Sequence, residues 1–364
     1  MTARPEGASR RPLVTIVIPV RNEEKFLADV LDELLAQDYP ADRMEILVCD
    51  GRSTDGTRRI VADFASRDPR VRLIDNPGIR SSAGRNAGFR AGRGEIFLVV
   101  DGHVRIGRRD LLRNITDAFH QTGADCLGRP QPLLPRPGRP WSQAIVHART
   151  SRLGHSPSSL IFSDYEGWAP AASNGAAYRA HVFDIVGYVD EDLDACEDLD
   201  FNTRIDEAGL RCWTSPRFAI GYYARDSVPA LFRQMWRYGL GRFRFLLRHP
   251  ARLDPATLAP PLLVLLLAAT PVVAAWIPGL LPLVLLPAGA WLLTILAASL
   301  VLAVRTGWRH FPRYLVIFPA IHLGLGLGFL AGAAGLVVTS RWCSAILRGT
   351  GNHRPGDRSG RGSP

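Results

Sequence analysis

Short apolar runs, most of them ending on an acidic cluster, alternate with amphipathic stretches through the first hundred residues. Residues 13–20, 45–49, 71–74 and 95–100 are brief and mostly aliphatic, and predict buried strands. Between them, residues 23–37 repeat Phe26, Leu27, Val30, Leu31, Leu34 and Leu35 at helical period. A second helix is predicted from Asp55, whose side chain suits an N-cap, to about Ser66, and a third over Ser81–Ala91. Strands and helices alternating at this rhythm predict parallel βαβ units. The pattern loosens further on. Residues 123–140 are rich in Pro and Gly and predict a loop, 141–152 a helix, 153–172 a flexible loop and 198–208 an amphipathic helix. No Gly-x-Gly-x-x-Gly follows the first strand, which counts against a dinucleotide-binding Rossmann domain.

The last third changes character. Residues 255–304 contain no Asp, Glu, Lys or Arg, and neither do 314–340. A bilayer span takes about 20 apolar residues, so the first stretch has room for two spans and the second for one. Spans are expected near 258–276, 280–303 and 315–338, with Pro271, Pro278, Pro282 and Pro287 blurring the first two boundaries. The net charge of +10 is carried almost wholly by Arg. Six Arg and no acid lie between Ser227 and Leu253, among Phe232, Trp236, Tyr238, Phe243 and Phe245. Arginines and aromatics just before an apolar stretch fit a cytoplasmic membrane surface better than a solvated helix or a nucleic-acid patch. No nucleic-acid partner is expected.

This gives a plan of five parts: a disordered N-terminus at 1–12, an α/β domain at 13–228, an interfacial segment at 229–254, a membrane region at 255–340 and a basic flexible tail at 341–364. The N-terminus has no apolar core of a signal peptide, so the α/β domain is expected in the cytoplasm. Arg305, Arg309 and Arg313 then return inside, as the positive-inside rule asks, but a third crossing would leave Arg341 and Arg348 outside. Two repairs stay open. The last segment is re-entrant or interfacial, helped by its glycines at 324, 326, 328, 332 and 335, or an earlier span is not a true span. Five scattered Cys, with no Cys-x-x-Cys pair, read as reduced thiols rather than a disulfide framework or zinc site.

In an open parallel sheet, ligands bind beyond the carboxyl ends of the strands. Glu23, Asp50 and Asp101 each follow an apolar run and therefore share one rim, an arrangement suited to a nucleotide, a metal ion and a sugar. Four further stretches occur in order: Asp101-Gly102-His103-Val104, Glu166-Gly167-Trp168-Ala169-Pro170, Ser173-Asn174-Gly175-Ala176-Ala177-Tyr178-Arg179 and Glu197-Asp198-Leu199-Asp200-Phe201-Asn202. Together they resemble the family 2 glycosyltransferases, inverting enzymes of GT-A fold, over roughly residues 13 to 245. The resemblance is nearest to the bacterial branch typified by succinoglycan and exopolysaccharide biosynthesis.

The resemblance implies a mostly parallel GT-A sheet followed by transmembrane helices. It implies nucleotide contacts from the Val20 backbone, Asn22, Glu23 and Asp50, with Asp50 on the uracil or ribose, and from Gly84 and Arg85 at a helix opened by small residues. Plainer roles remain beside these: Asn22 as a helix cap, Asp50 as a strand-end turn residue, Arg85 on the surface. Asp101 would hold Mn²⁺ or Mg²⁺ on the donor diphosphate. His103 stands where the family has a second Asp; it would bind metal, favouring Mn²⁺, or hydrogen-bond phosphate or sugar, or do neither. Asp198, with Glu197 beside it, would be the base that takes the acceptor proton, although acids in a first helical turn also simply complement the dipole. Asn174 would floor the donor-sugar pocket, and Trp168 would stack on a sugar or pack in the core. Gln234, Arg237 and Tyr238 match the Gln-x-x-Arg-Trp motif of processive synthases, which contacts acceptor and diphosphate. Tyr in place of Trp, and few spans, favour addition of a single sugar. The expected activity is transfer from a nucleotide-diphospho-sugar, UDP-linked by expectation, to a lipid-linked saccharide at the bacterial inner membrane. The rivals are a catalytically silent sugar-nucleotide-binding subunit and a processive synthase.

Overall fold

The computed structural model describes residues 11–349 apart from 157, 158 and 194, with side chains described as far as 335. Strands β1 (Val14–Val20), β2 (Met44–Asp50), β3 (Val71–Asp75) and β4 (Ile96–Val99) alternate with helices α1 (Leu27–Leu35), α2 (Thr57–Arg67) and α3 (Ser81–Ala91). The middle of the chain carries β5 (Val104–Arg105), α4 (Leu111–Thr122), β6 (Cys126–Gly128), β7 (Leu133–Leu134), α5 (Pro140–Arg149), β8 (Gly167–Trp168), α6 (Ala171–Asn174), β9 (Gly175–Arg179), α7 (His181–Val186), α8 (Glu197–Glu207), β10 (Cys212–Thr214) and β11 (Gly221–Tyr223). Four helices follow: α9 (Val228–Arg248), α10 (Pro255–Trp276), α11 (Leu281–Thr306) and α12 (Phe311–Gly349).

The main sheet has the order β3-β2-β1-β4-β9-β6-β10-β8, and a small second sheet has β5-β11-β7. The first four strands are parallel; β9 runs antiparallel to both its neighbours. Register pairs Val20 with Asp50 and Asp50 with Asp75, so the strand ends form one rim. Side chains alternate across the sheet with the period of two that a strand imposes. Ile16 and Ile18 face a core with Leu31, Leu34, Phe64 and Phe119 of α1, α2 and α4. Val17 faces the other way, toward Phe89, Phe183 and Phe201 of α3, α7 and α8. Because both faces are covered, these strands are continuous apolar runs rather than alternating ones.

Three expectations change. Helix α1 begins at Leu27, not Glu23, because residues 22–24 are held by the loop after β2. The Pro- and Gly-rich stretch 123–140 is not all loop: it contributes β6 and β7, whose cross-strand partners override local composition. Residues 153–172 likewise hold β8 and the start of α6. Of the N-terminus at 1–12 expected to be disordered and the tail at 341–364 expected to be flexible, residues 1–10 and 350–364 lie outside the described residues, whereas 341–349 continue α12.

Three helices are long and apolar enough to cross a membrane: Pro255–Trp276, Pro278–Thr306 and Trp308–Gly335. They differ in their surroundings. Six per cent of the first span is buried within the protein and 39% of the third. Helix α12 lies against α5, where Tyr314 OH is 2.9 Å from His147 Nδ1, and then along α9. Its glycines make that second contact. A Cβ at Gly328 would run into the Trp236 carbonyl, one at Gly324 would come within 2.8 Å of Met235 Cβ, and one at Gly332 within 2.9 Å of Phe243 Cδ1. Spaced every four residues, they form one smooth face that lets two backbones approach closely. Gly239 of α9 answers from the other side, against the Leu325 carbonyl.

Candidate active site

The rim beyond β1 and β2 is built from two loops that hold one another. The Asn22 N–H donates to Ser53 Oγ at 2.9 Å, and Asn22 Oδ1 accepts from the Thr54 N–H at 2.8 Å. The Glu23 N–H donates to Thr57 Oγ1 at 2.8 Å, and Glu24 Oε2 accepts from the Gly56 N–H at 2.8 Å. Asn22 is therefore a loop clasp and not a helix cap; its φ of +58° is one that Asn tolerates. Asp55 does serve the next helix, accepting from the Thr57 N–H at 3.0 Å. Asp50 is buried at the end of β2. Its Oδ2 takes Arg58 Nη1 at 2.8 Å and the Ser53 N–H at 3.2 Å, while its Oδ1 has no partner. A buried carboxylate oxygen with no donor is an unmet hydrogen-bond acceptor. Val20 lies under these loops. Gly84 is required by packing: a Cβ there would press within 2.9 Å of Asn76 Nδ2 and 3.1 Å of Pro19 Cβ, so its close approach is to the sheet rather than to a ligand.

Asp101 and His103 follow β4. No group among the described residues donates a hydrogen bond to the Asp101 carboxylate, which opens onto a large cavity. His103 is different. Its Nδ1 is 2.8 Å from Glu23 Oε1 and its Nε2 is 2.6 Å from Tyr222 OH. Both ring nitrogens are engaged in this arrangement, and a metal contact would take Nε2 in exchange for the Tyr222 hydroxyl while Glu23 holds Nδ1. It links Glu23 on the β1 rim to Tyr222 on β11. Among the described residues no cluster of three or more His, Cys, Asp or Glu is arranged to hold a metal alone. A single open carboxylate does fit a hard cation that keeps most of its ligands from substrate phosphates. Two arginines flank Asp101. Burial works against the charge on Arg85, but Glu197, Asp198 and Asp101 outweigh it and raise its pKa. Arg129 is buried without an ion pair; burial lowers its pKa, and Asp101 restores only part.

Helix α8 starts from Cys196, a non-glycine residue at φ +63°. Such strain is held in place only where the surroundings enforce it, and it clusters at functional sites. Glu197 points inward, 3.7 Å from Arg85 Nη2; burial raises its pKa and Arg85 pulls it back. Asp198 is exposed to the cavity, its Oδ1 accepting from the Leu199 N–H at 2.8 Å. Asp200 turns away and is structural: it takes Arg204 Nε at 3.1 Å and His249 Nε2 at 3.0 Å, tying α8 to the end of α9.

One cavity of about 1340 Å³ gathers Arg85, Asp101, His103, Asn174, Glu197, Asp198, Gln234, Arg237 and Tyr238. Asn174 donates to Thr214 Oγ1 at 3.0 Å and keeps a buried Oδ1 without a partner. Gln234 Nε2 donates to Tyr238 OH at 3.1 Å one turn along α9. Trp168 is not in the cavity. It stands at the sheet edge, 39% exposed, with its ring 5.3 Å from that of Trp213 and the Arg211 guanidinium 3.7 Å above it. The cavity continues between the apolar helices, where Leu263, Leu266, Trp291, Leu325 and Phe329 line it. Sequence reasoning missed Arg129, Arg149 and Tyr222, which also line it. None belongs to a recognisable motif; an Arg in a weakly patterned, Pro-rich or helix-ending segment gives no local sign that it is enclosed.

The family described as Glycosyl transferase family 2 matches residues 15–184 of the chain. The succinoglycan biosynthesis protein ExoA of Rhizobium meliloti (strain 1021) is 29% identical over 321 residues, 86% of this chain and 93% of that protein. A dolichyl N-acetyl-alpha-D-glucosaminyl phosphate 3-beta-D-2,3-diacetamido-2,3-dideoxy-beta-D-glucuronosyltransferase of Methanococcus voltae is 23% identical over 246 residues, 63% of this chain and 72% of that one. Among solved structures, the mannosyltransferase PcManGT from Pyrobaculum calidifontis, in complex with GDP-Man and Mn²⁺, superposes with a TM-score of 0.55 at 22% identity, covering 88% of each chain. The fold is the expected GT-A type, a mostly parallel sheet followed by apolar helices.

Proposed function

We propose, from the match of residues 15–184 to Glycosyl transferase family 2, that the chain is a family 2 glycosyltransferase and moves a single sugar from a nucleotide-diphospho-sugar, UDP-linked, to a lipid-linked saccharide in exopolysaccharide or cell-envelope glycan synthesis. The observation that carries the reading is the one cavity: Asp101 and Asp198 line it, and so do side chains of α10 and α12. A water-soluble acceptor has no use for an apolar extension of the active site. A lipid-borne one does.

Within this reading, residues 13–228 catalyse, 229–254 line the membrane surface and 255–340 anchor. The unpartnered Asp50 Oδ1 takes an N–H or O–H of the nucleoside, beside the Val20, Asn22 and Glu23 loop. Arg85 serves the donor phosphates, and Asn174 the sugar. Asp101 would hold a divalent ion, Mn²⁺ or Mg²⁺, which when bound neutralises charge on the diphosphate leaving group; the Mn²⁺ named with PcManGT supports this. Asp198, open to the cavity at the positive end of α8, takes the proton from the acceptor hydroxyl. Glu197 positions Arg85. One base and in-line attack give inversion at the anomeric carbon. Gln234, Arg237 and Tyr238 of α9 receive the acceptor. The catalytic domain is cytoplasmic, on the inner membrane of a bacterium. Helices α10 and α11 cross the bilayer, and α12, packed on α5 and α9 of the catalytic side, lies at the surface.

The test is transfer of radiolabelled sugar into lipid-extractable product by membranes containing the protein, with a panel of nucleotide sugars and Mn²⁺. Label from one donor, lost in Asp198→Asn, is the expected result. A product that keeps the donor's anomeric configuration would overturn the inverting assignment. A reporter fused after residue 349 should be cytoplasmic; alkaline phosphatase activity there would make α12 a third span.

A further inference from the structure

One cation in the cavity has no counter-charge. Arg149 ends α5, and its Nε is shut from solvent without a hydrogen-bond partner. Its guanidinium has a weak side-chain partner, a thioether: Nη1 donates to Met235 Sδ at 3.7 Å. The titratable groups that face it are the hydroxyls of Tyr222 and Tyr238 and a second cation, Arg225. Arg129, also enclosed, at least has Asp101 nearby. Arg149 has no carboxylate within ion-pair distance among the described residues. Enclosing an unpaired charge, even one partly open to a cavity, is costly. A fold that keeps such a residue inside a binding cavity points to a ligand that brings the missing anion.

The walls say what carries that anion. Arg149 belongs to α5, which packs on α12, and the same cavity continues between α10 and α12 along Leu263, Leu266, Leu325 and Phe329. An anion at Arg149 with a long apolar chain beyond it is a phosphorylated lipid. We propose that Arg149 binds the phosphate joining the acceptor's saccharide to its prenyl chain, and that the chain runs between α10 and α12. A guanidinium grips phosphate through two parallel N–H donors, which an ammonium does not reproduce. The proposal rests on the lipid-linked acceptor reading and deepens it.

Full-length protein, wild type, Arg149→Met and Arg149→Lys, is tested for binding of farnesyl diphosphate, farnesol, inorganic pyrophosphate and UDP, together with its melting temperature. Wild type should bind farnesyl diphosphate best. Arg149→Met should lose about tenfold or more of that affinity, with UDP affinity unchanged and the melting temperature equal or higher; Arg149→Lys should fall between. A purely structural arginine predicts the reverse, a lower melting temperature with no selective loss. A parallel loss of UDP affinity would assign Arg149 to the donor diphosphate and overturn the proposal. So would pyrophosphate binding as tightly as farnesyl diphosphate, which would make this a free-anion site. If wild-type membranes label only soluble saccharide, the lipid-acceptor reading itself fails. If they label lipid equally with Arg149→Met, only the arginine's role fails.

Discussion

The sheet rim beside the cavity and the cavity's helical end are built on opposite principles. At the sheet rim, the loops after β1 and β2 exchange backbone and side-chain hydrogen bonds until almost every polar atom is matched, and Asp50 is left with one free oxygen. At the helical end, α5, α9, α10 and α12 meet with arginines, tyrosines and aliphatic side chains, and no acid among the described residues answers Arg149. The first is closely tied by short hydrogen bonds and polar. The second is roomy and awaits both charge and apolar surface. Substitutions at the two ends should therefore separate donor from acceptor effects, and the residue between them should stop turnover with donor binding left in place.

That residue is Asp198. A positioned general base contributes about 10² to 10⁴ in rate, so Asp198→Asn should cut the turnover number by that factor while UDP still binds, as measured by titration. A loss below about tenfold would move the base elsewhere. Next in size is Asp50→Asn. It halves the acceptor capacity of a buried group and breaks the Arg58 pair at 2.8 Å. Donor KM should rise about tenfold to a hundredfold, with the acceptor KM untouched; a rise in both would show that the two ends are not independent.

The next effect separates α12 from α10. The two are alike in hydropathy, yet α12 is packed against protein far more than α10 is. Gly328→Ala puts a methyl into the Trp236 carbonyl, and one helix must shift. Overpacking of this kind costs about 1–3 kcal/mol, read as a lower melting temperature in detergent. Ala at Gly279 or Gly289, which meet nothing within 4 Å, should leave it unchanged. Equal shifts at all three would mean that α12 is no more tightly packed than the spans.

What could be read from sequence follows the same division. Strands β1, β2 and β4 are apolar runs with a carboxylate after each, so period and rim position alone locate Asp50 and Asp101. Asp198 is announced by an acidic helix start. The short strands β6, β7 and β8 were invisible because two or three residues carry no period and exist only through their partners. That His103 meets Glu23 and Tyr222 was not legible, because Tyr222 lies 119 positions away in the sequence. The glycines of α12 were noticed, but only α9 gives them a purpose: close packing rather than a break in a span.

Trp168 supplies the smallest expected effect and the sharpest check on what lies outside the site. In the sequence it sits between Gly167 and Ala169 in a stretch that resembles the sugar-binding part of the family, and an aromatic there invites a stacking role. In the fold it belongs to an edge strand, edge-on to Trp213 and capped by Arg211. A cation over an aromatic at an exposed site is worth about 0.5–1 kcal/mol, and an aromatic pair about as much. Trp168→Ala should therefore lower the melting temperature slightly and leave both donor and acceptor KM within about twofold, since surface changes away from a site shift free energy by only about 0.5 kcal/mol. If donor KM instead rose tenfold with stability intact, the β8 edge would have to swing over the cavity when substrate binds. The resting position of Trp168 would then be the open state of a moving strand rather than its permanent place.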